Sequence, residues 1–479
     1  MSALFWFPRR LRVATALAIT PVVVLAGSAS AAGGDPNTQA QYLHSAGHSS
    51  FSAATAITTA NAGSLTLAWH WHPDAPAAGH PRNDLYSSPA VVGGVVYTGS
   101  NSGDFYAIDL STGNVIWKKD LGFVPRLTCQ SRGTSASAAV LPDPVSHTLT
   151  VYEAGGDGYL YALDAATGAT IWRTAVHLHS PGVNDWFDWS SPTVAKGKIY
   201  IGLTSQCDKP LTRGGVKKFD QHTGKLLGTY HATPRGVGGA GVWSSVAVRR
   251  KSVFATTGTP PVHGKPPGTD AVSIVRLNAR TMKRVGKWTV PLAHPGTDQD
   301  FGASPVLFPS VVKGRTTELV GAMNKNGIFY AWRAAHPGLG PVWKRRIDNP
   351  VTPSIPAAVW NQQKRLWIAG NTTTIQGTTY KGSVRSFTVR GKFLWARGLP
   401  AAVLGTPSLN SSNVLALATY DSIKGVPTGN PQDGCYLINA RTGVVVNKFL
   451  IGAEFAQPVF VGPYLLLATR HNGLYAYHV

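Results

Sequence analysis

Among the side chains able to do acid–base or metal chemistry, glutamate is scarce in this chain of 479 residues. Glutamate occurs only at Glu153, Glu318 and Glu454, so a carboxylate pair for glycoside hydrolysis would have to rely on aspartates. Four histidines are scattered over predicted strands and loops, where we expect structural roles: His177, His179, His222 and His231. No Ser-His-acid arrangement has motif support, and no glycine-rich phosphate loop precedes a helix. The residue types therefore argue against the common hydrolases and nucleotide-binding enzymes.

The elements that must position any site are set by a repeated unit, seen most clearly from Ser87 to Leu121. Four short runs of β-branched and aromatic residues, such as Val95–Thr98, are separated by turn residues. Turns such as Thr112-Gly113 contain glycine, which reaches the positive φ that tight hairpins need. One four-stranded antiparallel sheet cannot bury its own faces, so its repetition at about 45–55 residues predicts a β-propeller.

The copies of this unit predict eight blades. Seven copies follow one another, beginning near Ser87, Thr134, Asp188, Val242, Asp300, Ser354 and Leu404. The C-terminal segment from Phe455 to Tyr477 holds only three strands, and Ser64–Trp69 has the pattern of the missing outer strand. Pairing these two segments would close the ring and protect its sheet edges. We therefore predict an all-β, eight-bladed propeller of four-stranded antiparallel blades, closed by an N-terminal strand, in one domain over residues 64–479.

The N-terminus has the pattern of an export signal over residues 1–31. Arg9, Arg10 and Arg12 precede the apolar stretch Val13–Ala26, and Ala29-Ser30-Ala31 offers a small-residue cleavage site. The apolar stretch is short for a membrane span, although an uncleaved anchor remains the alternative. The sequence therefore predicts a secreted or envelope-associated protein, in which residues 32–63 form a leader into the ring.

The formal net charge of +22 indicates affinity for anionic material such as cell-envelope polymers. The basic residues are nevertheless scattered, with short clusters only at Arg249-Arg250-Lys251 and Lys344-Arg345-Arg346. No basic and aromatic module of the nucleic-acid-binding type occurs, so we expect no nucleic-acid partner. A generally basic surface explains this pattern more simply than a dedicated polyanion site.

The three cysteines allow one disulfide if the chain is exported. Cys129 follows the first blade and Cys207 lies in a loop of the third blade, so both can reach one face of the ring. We expect this pair to bridge and Cys435 to remain a thiol. No Cys-x-x-Cys-His motif occurs in the chain, which excludes covalent c-type haem attachment.

The motif Ala-x-Asp-x-x-Thr-Gly-x-x-x-Trp, at Ala107–Trp117 and Ala162–Trp172, resembles the repeat of the quinoprotein dehydrogenases. The segment Asp300-Phe301-Gly302-Ala303-Ser304-Pro305 is most similar to the polyvinyl-alcohol dehydrogenase branch of these pyrroloquinoline quinone (PQQ)-dependent enzymes, without its haem domain. The resemblance implies PQQ over the central channel, a Ca²⁺ or lanthanide ion beside it, and oxidation of an alcohol. The same repeat also occurs in non-enzymatic propellers, so the fold alone does not decide the function.

The resemblance implies site roles for four residues in four different blades. Asp300 matches the catalytic aspartate, and Lys325 matches the basic residue that hydrogen-bonds the quinone oxygens. Trp243 matches the tryptophan beneath the cofactor, and Arg132 matches the arginine that follows the cysteines above it. Each also has a structural explanation: Asp300 as a turn cap, Trp243 as core, and Lys325 and Arg132 as solvated loop charges. Their joint match favours the functional interpretation.

Three positions depart from the family pattern, and all of them concern the metal site or its surroundings. Thr259 stands where the metal-binding asparagine is expected, and Asp208 is the carboxylate closest to the position of the expected glutamate. The implied metal ligands are therefore Asp208, Thr259 and Asp300, a weaker set for Ca²⁺ than the usual one. Cys129 stands alone where two adjacent cysteines are usual. A Cys129–Cys207 bridge would replace that feature but would also occupy the metal loop.

Two functions remain open from the sequence. The first is an exported PQQ-dependent dehydrogenase that oxidises an alcohol or polyol by hydride transfer and delivers electrons to a separate acceptor. The second is a non-catalytic propeller that binds an envelope protein or polymer. Since a closed ring leaves no sheet edge to protect, we expect a monomer.

Overall fold

The computed structural model describes residues 34–126, 129–180, 183–261, 268–291, 298–349, 354–421 and 430–479. The predicted export signal, residues 1–31, lies outside these ranges. Eight antiparallel sheets of four main strands follow one another along the chain, which makes the molecule an eight-bladed β-propeller. In each blade we label the strands A to D, with strand A innermost because the A strands of neighbouring blades contact one another.

The strand bounds follow the repeat that the sequence shows. Blades 1 to 4 consist of Ala90–Val92, Val95–Gly99, Asp104–Asp109 and Val115–Asp120; Ala139–Pro142, Leu149–Ala154, Tyr159–Asp164 and Thr170–Ala175; Thr193–Ala195, Lys198–Ser205, Gly215–Asp220 and Leu226–His231; and Ala247–Arg249, Ser252–Thr256, Ser273–Asn278 and Arg284–Thr289. Blades 5 to 8 consist of Val306–Val312, Arg315–Asn324, Ile328–Arg333 and Pro341–Arg346; Val359–Asn361, Arg365–Gly370, Gly382–Thr388 and Phe393–Leu399; Ser408–Asn410, Val414–Ala418, Cys435–Asn439 and Val445–Phe449; and Val459–Val461, Tyr464–Thr469, Gly473–His478 and Thr66–Trp71.

A few short elements lie outside this plan. Trp186–Phe187 adds to strand B of blade 3, and the hairpin Thr373–Ile375 and Thr378–Tyr380 is inserted in blade 6. Two 3-10 helices lie at Ala62–Ser64 and Pro337–Leu339. Within the described residues, no helix has the length and apolar character needed to cross a bilayer.

The ring is joined where its two ends meet. Strand D of blade 8 is Thr66–Trp71, which pairs antiparallel with Gly473–His478 at the C-terminus. The last blade therefore takes three strands from one end of the chain and one from the other. Because this pairing hydrogen-bonds both ends into one sheet, it leaves no open edge at the seam.

The repeat motif works by joining one blade to the next. A Cβ added to Gly113 would lie 2.8 Å from the ring of Trp69, and one added to Gly168 would lie 2.7 Å from Trp117. The Trp117 indole N–H also donates to the carbonyl of Ala165 at 3.0 Å. The tryptophan of each motif thus packs on the glycine turn of the following blade, which explains why both residues recur at a fixed spacing.

The two faces of the ring differ in their loops. The face of the ring that carries Asp300 and the B–C turn with Lys325 is named the upper face. Each strand A begins at this face and ends at the opposite one. The A–B and C–D turns lie at the opposite end, the lower face. On the lower face Asp109 accepts hydrogen bonds from the N–H groups of Ser111 and Thr112 at 3.0 and 2.9 Å, which is a common way to stabilise a tight turn.

Residues 36–54, which we name the strap, pass every blade in turn. The carbonyl of Pro36 accepts from Gly462 of blade 8, and Gln39 exchanges two hydrogen bonds with Val91 of blade 1. Backbone or side-chain oxygens of the strap then accept from strand A of the next six blades, at Val140, Val194, Val248, Leu307, Trp360 and Leu409. Ser52 finally donates to Phe460 of blade 8 at 2.8 Å. The segment expected as a leader is therefore built into the ring.

Candidate active site

The channel at the centre of the ring is lined by two layers of residues from equivalent positions in the blades. The upper layer holds one residue from each blade: Tyr86, Ser135, Trp189, Trp243, Gly302, Ile355, Leu404 and Phe455. The lower layer, two residues further along each strand, is largely serine and threonine. Together these residues enclose a cavity of about 70 Å³. The repeat thus brings at least one residue from each blade to the channel.

In the lower layer six blades supply a serine or threonine hydroxyl that accepts a backbone hydrogen bond from the neighbouring blade, whereas blades 6 and 8 have Ala357 and Gln457 at this position. The Oγ of Ser137 accepts from the N–H of Ser88 at 2.8 Å, and the Oγ of Ser191 accepts from Ser137 at 3.0 Å. The same contact continues through Ser245, Ser304, Thr406 and Ser88. Tyr42 of the strap lies below and contacts the Thr406 hydroxyl at 3.3 Å. The strap therefore closes the channel towards the lower face.

Five polar side chains form one connected chain at the upper face. The Nζ of Lys325 lies 2.6 Å from Oδ1 of Asp300 and 2.9 Å from Oδ1 of Asp298. The hydroxyl of Thr259 lies 2.9 Å from Oδ2 of Asp208 and 3.4 Å from Oδ2 of Asp300. Three of these residues, Asp300, Lys325 and Thr259, come from separate loops of blades 4 and 5, which the ring brings together.

Burial sets the protonation behaviour of this chain. Asp300 and Lys325 are only 3 % and 9 % exposed. Burial raises the pKa of Asp300 above its usual value, and the nearby Lys325 ammonium only partly offsets this. Burial alone would lower the pKa of Lys325, but the carboxylates of Asp300 and Asp298 raise it above its usual value. Lys325 is thus held as a cation beside a carboxylate that has become a stronger base.

Trp243 is fixed next to this pair by its packing. The Lys325 Nζ lies 5.1 Å from the centre of the Trp243 ring, a distance typical of a cation–π contact. A Cβ on Gly302 would lie 2.4 Å from the same indole ring, so only glycine leaves room for it at that position. The Asp300-Phe301-Gly302 segment therefore supplies both the carboxylate and the space for the tryptophan.

The disulfide borders the site from the other side. Cys129 and Cys207 are bridged, while Cys435 is a buried thiol. Oδ2 of Asp185 accepts from the backbone N–H of Cys207 at 2.9 Å, and its Oδ1 pairs with Arg126 at 3.0 Å. The next residue, Asp208, contacts Thr259. The bridge and the Asp208 contact are therefore compatible, although the sequence suggested that they compete for one loop.

Arg132 lies across the channel mouth from Lys325. Its guanidinium carbon is 4.6 Å from the ring centre of Tyr86 and 5.1 Å from that of Trp189. Its Nη1 is buried and has no hydrogen-bond partner among the described residues. Arg470 also contacts Tyr86, at 5.9 Å. The upper layer thus offers aromatic surfaces with cations on two sides.

The structure places the residues expected from the sequence in two groups. Asp208, Thr259, Asp300, Lys325 and Trp243 are linked in that order by pairwise contacts, whereas Arg132 contacts the aromatic rings of Tyr86 and Trp189. Sequence reasoning missed Asp298, Asp185, Trp189 and Tyr86 as parts of the site. The two aromatic residues had a usable signal, since each stands two residues before the recurring channel serine, as Trp243 does. Asp298 and Asp185 had no such sequence signal, because their contacts with Lys325 and Cys207 depend on how separate loops are oriented in the fold.

The groups at the upper layer suit a planar anionic ligand, which would lie at the channel mouth because the cavity of about 70 Å³ is smaller than such a ligand. Aromatic faces, an unpartnered guanidinium nitrogen and the Lys325 ammonium are the groups that a flat quinone with carboxylates requires. Three oxygens, from Asp208, Thr259 and Asp300, also converge as donors for a hard cation. Loss of water around the carboxyl raises the pKa of Asp208, and the Thr259 hydrogen bond partly offsets this. Burial is thus the main cause of the raised pKa of both carboxyl groups.

Comparison with known proteins gives a consistent family. A family model described as glucose/ethanol/alcohol dehydrogenase, β-propeller domain, matches residues 40–336. The dehydrogenase subunit of alcohol dehydrogenase (quinone) from Gluconobacter oxydans is 30 % identical over 210 residues, 42 % of this chain and 26 % of that protein. Polyvinylalcohol dehydrogenase from a Pseudomonas species is 25 % identical over 297 residues, 54 % of this chain and 44 % of that protein. The chain thus spans less than half the length of these relatives.

The solved structures agree on the fold. Europium-containing methanol dehydrogenase superposes with a TM-score of 0.73, covering 93 % of this chain and 99 % of that chain at 16 % identity. At this level of identity the similarity shows the architecture alone. Since the family model covers more than half of the sequence, the chain belongs to the PQQ family of glucose/ethanol/alcohol dehydrogenase β-propeller domains.

Proposed function

We propose that the protein is a PQQ-dependent dehydrogenase that oxidises an alcohol or polyol. The observation that carries this is the buried Asp300–Lys325 pair beside Trp243, at the mouth of a channel lined by one residue from each blade. A turn cap needs neither burial nor a lysine partner. The family membership and the names of the relatives support the same reaction class.

The residues of the chain would act on the substrate as follows. Oδ1 of Asp300 is held by Lys325, which leaves Oδ2 to accept the proton of the substrate hydroxyl. The raised pKa of Asp300 makes it a stronger base than an exposed aspartate. Lys325 stays cationic and can stabilise negative charge that develops beside it. PQQ would supply the two-electron oxidant for the hydride that leaves the substrate carbon, and a separate acceptor would reoxidise it.

The aromatic residues of the upper layer would orient the planar cofactor. Trp243 would stack beneath it, with its height fixed by Gly302, and Arg132 would bind its anionic groups through the unpartnered Nη1. We propose that Ca²⁺ would be held by oxygens of Asp208 and Thr259 beside Asp300, with the remaining positions left to water and ligand. The disulfide at Cys207 would keep the Asp208 loop in place for this purpose.

Dye-linked alcohol oxidation tests the catalytic role of Asp300. Asp300→Asn keeps the shape of the side chain but removes the base, so we expect a loss of about 10²- to 10⁴-fold in kcat. Asp109→Asn is the matched control, because Asn278 fills the same turn in blade 4 with the same backbone hydrogen bonds. Full activity of Asp300→Asn, or an equal loss in both variants, would refute the assignment.

We also propose that the chain is exported. The N-terminal pattern of arginines, apolar residues and small residues supports this, as does a disulfide, which persists in oxidising compartments. N-terminal sequencing of the protein from culture fluid or envelope should give a start close to Ala32. Recovery of the intact chain from the reducing cytoplasm would contradict the proposal.

A further inference from the structure

The lower face of the propeller carries its charge on one side. In blades 1 to 3 the C–D turn is capped by a carboxylate, from Asp109, Asp164 and Asp220. In blades 4 and 7 the same backbone groups donate to the neutral oxygens of Asn278 and Asn439. The turn keeps its cap but loses its negative charge. No C–D turn of blades 4 to 7 contains an aspartate or glutamate.

The lower turns of blades 4 to 6 are rich in lysine and arginine. Exposed or half-buried basic residues of the lower turns in blades 4 to 6 are Arg250, Lys251, Arg280, Lys283, Lys313, Arg315, Lys364, Arg365, Arg390 and Lys392. Residues 354–399, which form blade 6, contain no aspartate or glutamate. Among the described residues, Glu318 is the one carboxylate at this end of blades 4 to 6, and it is paired with Arg249 at 2.5 Å.

A cleft between blades 5 and 6 concentrates this charge. Its volume is about 480 Å³, and four cations line it: Lys364, Arg365, Arg390 and Lys392. No acidic side chain among the described residues lines the cleft, and none of the four cations forms an ion pair there. Its remaining surface is largely apolar and includes Pro309, Val311 and Leu394. Cationic walls over an apolar floor suit an amphiphile with an anionic head.

Two apolar side chains are exposed on the lower face, one at the cleft and one between blades 4 and 5. Leu339, in the C–D turn of blade 5, is 73 % exposed, and Phe393, next to Lys392, is 53 % exposed. Exposed apolar residues next to basic ones are typical of surfaces that rest on an anionic membrane, where the apolar groups enter the headgroup layer. A soluble polyanion would use the cations but would gain nothing from Leu339 and Phe393.

The chain enters the ring at the same face. Pro36 bonds to Gly462, which is the A–B turn of blade 8, and the apolar stretch Val13–Ala26 precedes it by only about ten residues. The strap therefore begins at the lower face, on the opposite side of the ring from Asp300.

We propose that the lower face of blades 4 to 6 docks on an anionic phospholipid membrane, with the cleft between blades 5 and 6 receiving lipid headgroups. This leaves the upper face directed away from the bilayer. Substrate and the electron acceptor then reach the Asp300 site without obstruction. The inference is independent of the proposed catalysis, because no residue is shared between the two sites.

Partition of the full chain onto vesicles tests the docking surface. We compare the partition coefficient on vesicles with about 30 % phosphatidylglycerol with that on neutral phosphatidylcholine vesicles, so that any insertion of the N-terminus cancels in the ratio. We expect a ratio of about tenfold or more at low salt, which falls as salt screens the charges. A ratio near one at low salt would overturn the proposal.

Charge reversal locates the surface. Arg390→Glu with Lys392→Glu should reduce the ratio about tenfold, because two attractive contacts become repulsive. Arg235→Glu with Lys448→Glu is the matched control, since it reverses one exposed arginine and one exposed lysine elsewhere. An equal loss in both variants would show a general charge effect and refute the site. If the protein binds soluble polyphosphate more tightly than anionic vesicles, and Arg390→Glu with Lys392→Glu abolishes that binding, the ligand of this surface is a polyanion and the membrane proposal is wrong.

Discussion

Gly302 is the residue on which the position of Trp243 depends, and Gly302→Ala is the most direct perturbation of the site. The added Cβ would lie 2.4 Å from Cζ2 of Trp243 and 2.5 Å from Cγ2 of Ile355. Since nonbonded carbons rest at about 3.5–4.0 Å, one ring or the backbone has to move by about 1 Å. Overpacking of this kind costs about 1–3 kcal/mol of unfolding free energy. The displaced indole would also leave its contact with Lys325.

The assay measures stability and cofactor affinity together. Denaturant unfolding of Gly302→Ala should show a loss of about 1–3 kcal/mol, and its affinity for PQQ should fall about tenfold because an indole stacking contact is worth about 1.5 kcal/mol. Gly63→Ala is the control, because a Cβ there meets nothing closer than 3.7 Å. If Gly302→Ala retains both the stability and the affinity of the parent, the packing of Trp243 does not position the cofactor and our reasoning is wrong.

Three further predictions concern pH, the disulfide and the strap. Because the pKa of Asp300 is raised, the acid limb of the kcat/KM–pH profile should lie above the usual aspartate pKa of about 3.9. Lys325→Met removes the cation that lowers this pKa, so the acid limb should move to higher pH. An acid limb that does not move would contradict the pairing of Lys325 with Asp300. Cys207→Ser removes the disulfide, so the free energy of unfolding should fall by about 2–4 kcal/mol and the affinity for Ca²⁺ should weaken. Cys435→Ser, which removes the buried thiol, is the control for Ca²⁺ affinity. Unchanged Ca²⁺ affinity in Cys207→Ser would show that the disulfide does not position the Asp208 loop. Burial lowers the pKa of His48 from 6.5 to about 4, so the unfolded chain binds the proton first and the fold loses about 3 kcal/mol as the pH falls from 6.5 to 4. His48→Asn should make this acid dependence shallower by one proton, and an unchanged slope would show that His48 is not buried as a neutral group.

The fold could be predicted because its information is local and repeated. The turn glycine and the docking tryptophan recur at the same spacing in blades 1, 2 and 6, as Gly113 and Trp117 show in blade 1, so one copy of the motif explains the others. The strap could not be predicted in this way. Its contacts are mostly backbone hydrogen bonds, and its Ala-, Ser- and Gly-rich composition is also typical of a leader without fixed structure.

The site residues that stand at repeated positions relative to the strands could be predicted from the sequence. Those whose contacts depend on how a loop is oriented could not. Asp300, Lys325 and Trp243 stand at fixed offsets from strands, so their meeting follows from the ring. Cys207 and Asp208 are neighbours that contact different partners, and no spacing rule reveals this. The basic lower face was hidden for a similar reason. Its cations are dispersed in sequence and are gathered only because A–B and C–D turns share one end of the ring.

Titration of the full chain with PQQ, followed by calorimetry with and without Ca²⁺, tests the central claim most directly. We predict binding of about one PQQ per chain that is tighter with Ca²⁺ and about tenfold weaker in Trp243→Ala, the loss expected for one aromatic stacking contact. Absence of binding in both conditions would contradict the assignment of the channel mouth as a quinone site. The protein would then be a non-catalytic propeller of the same family.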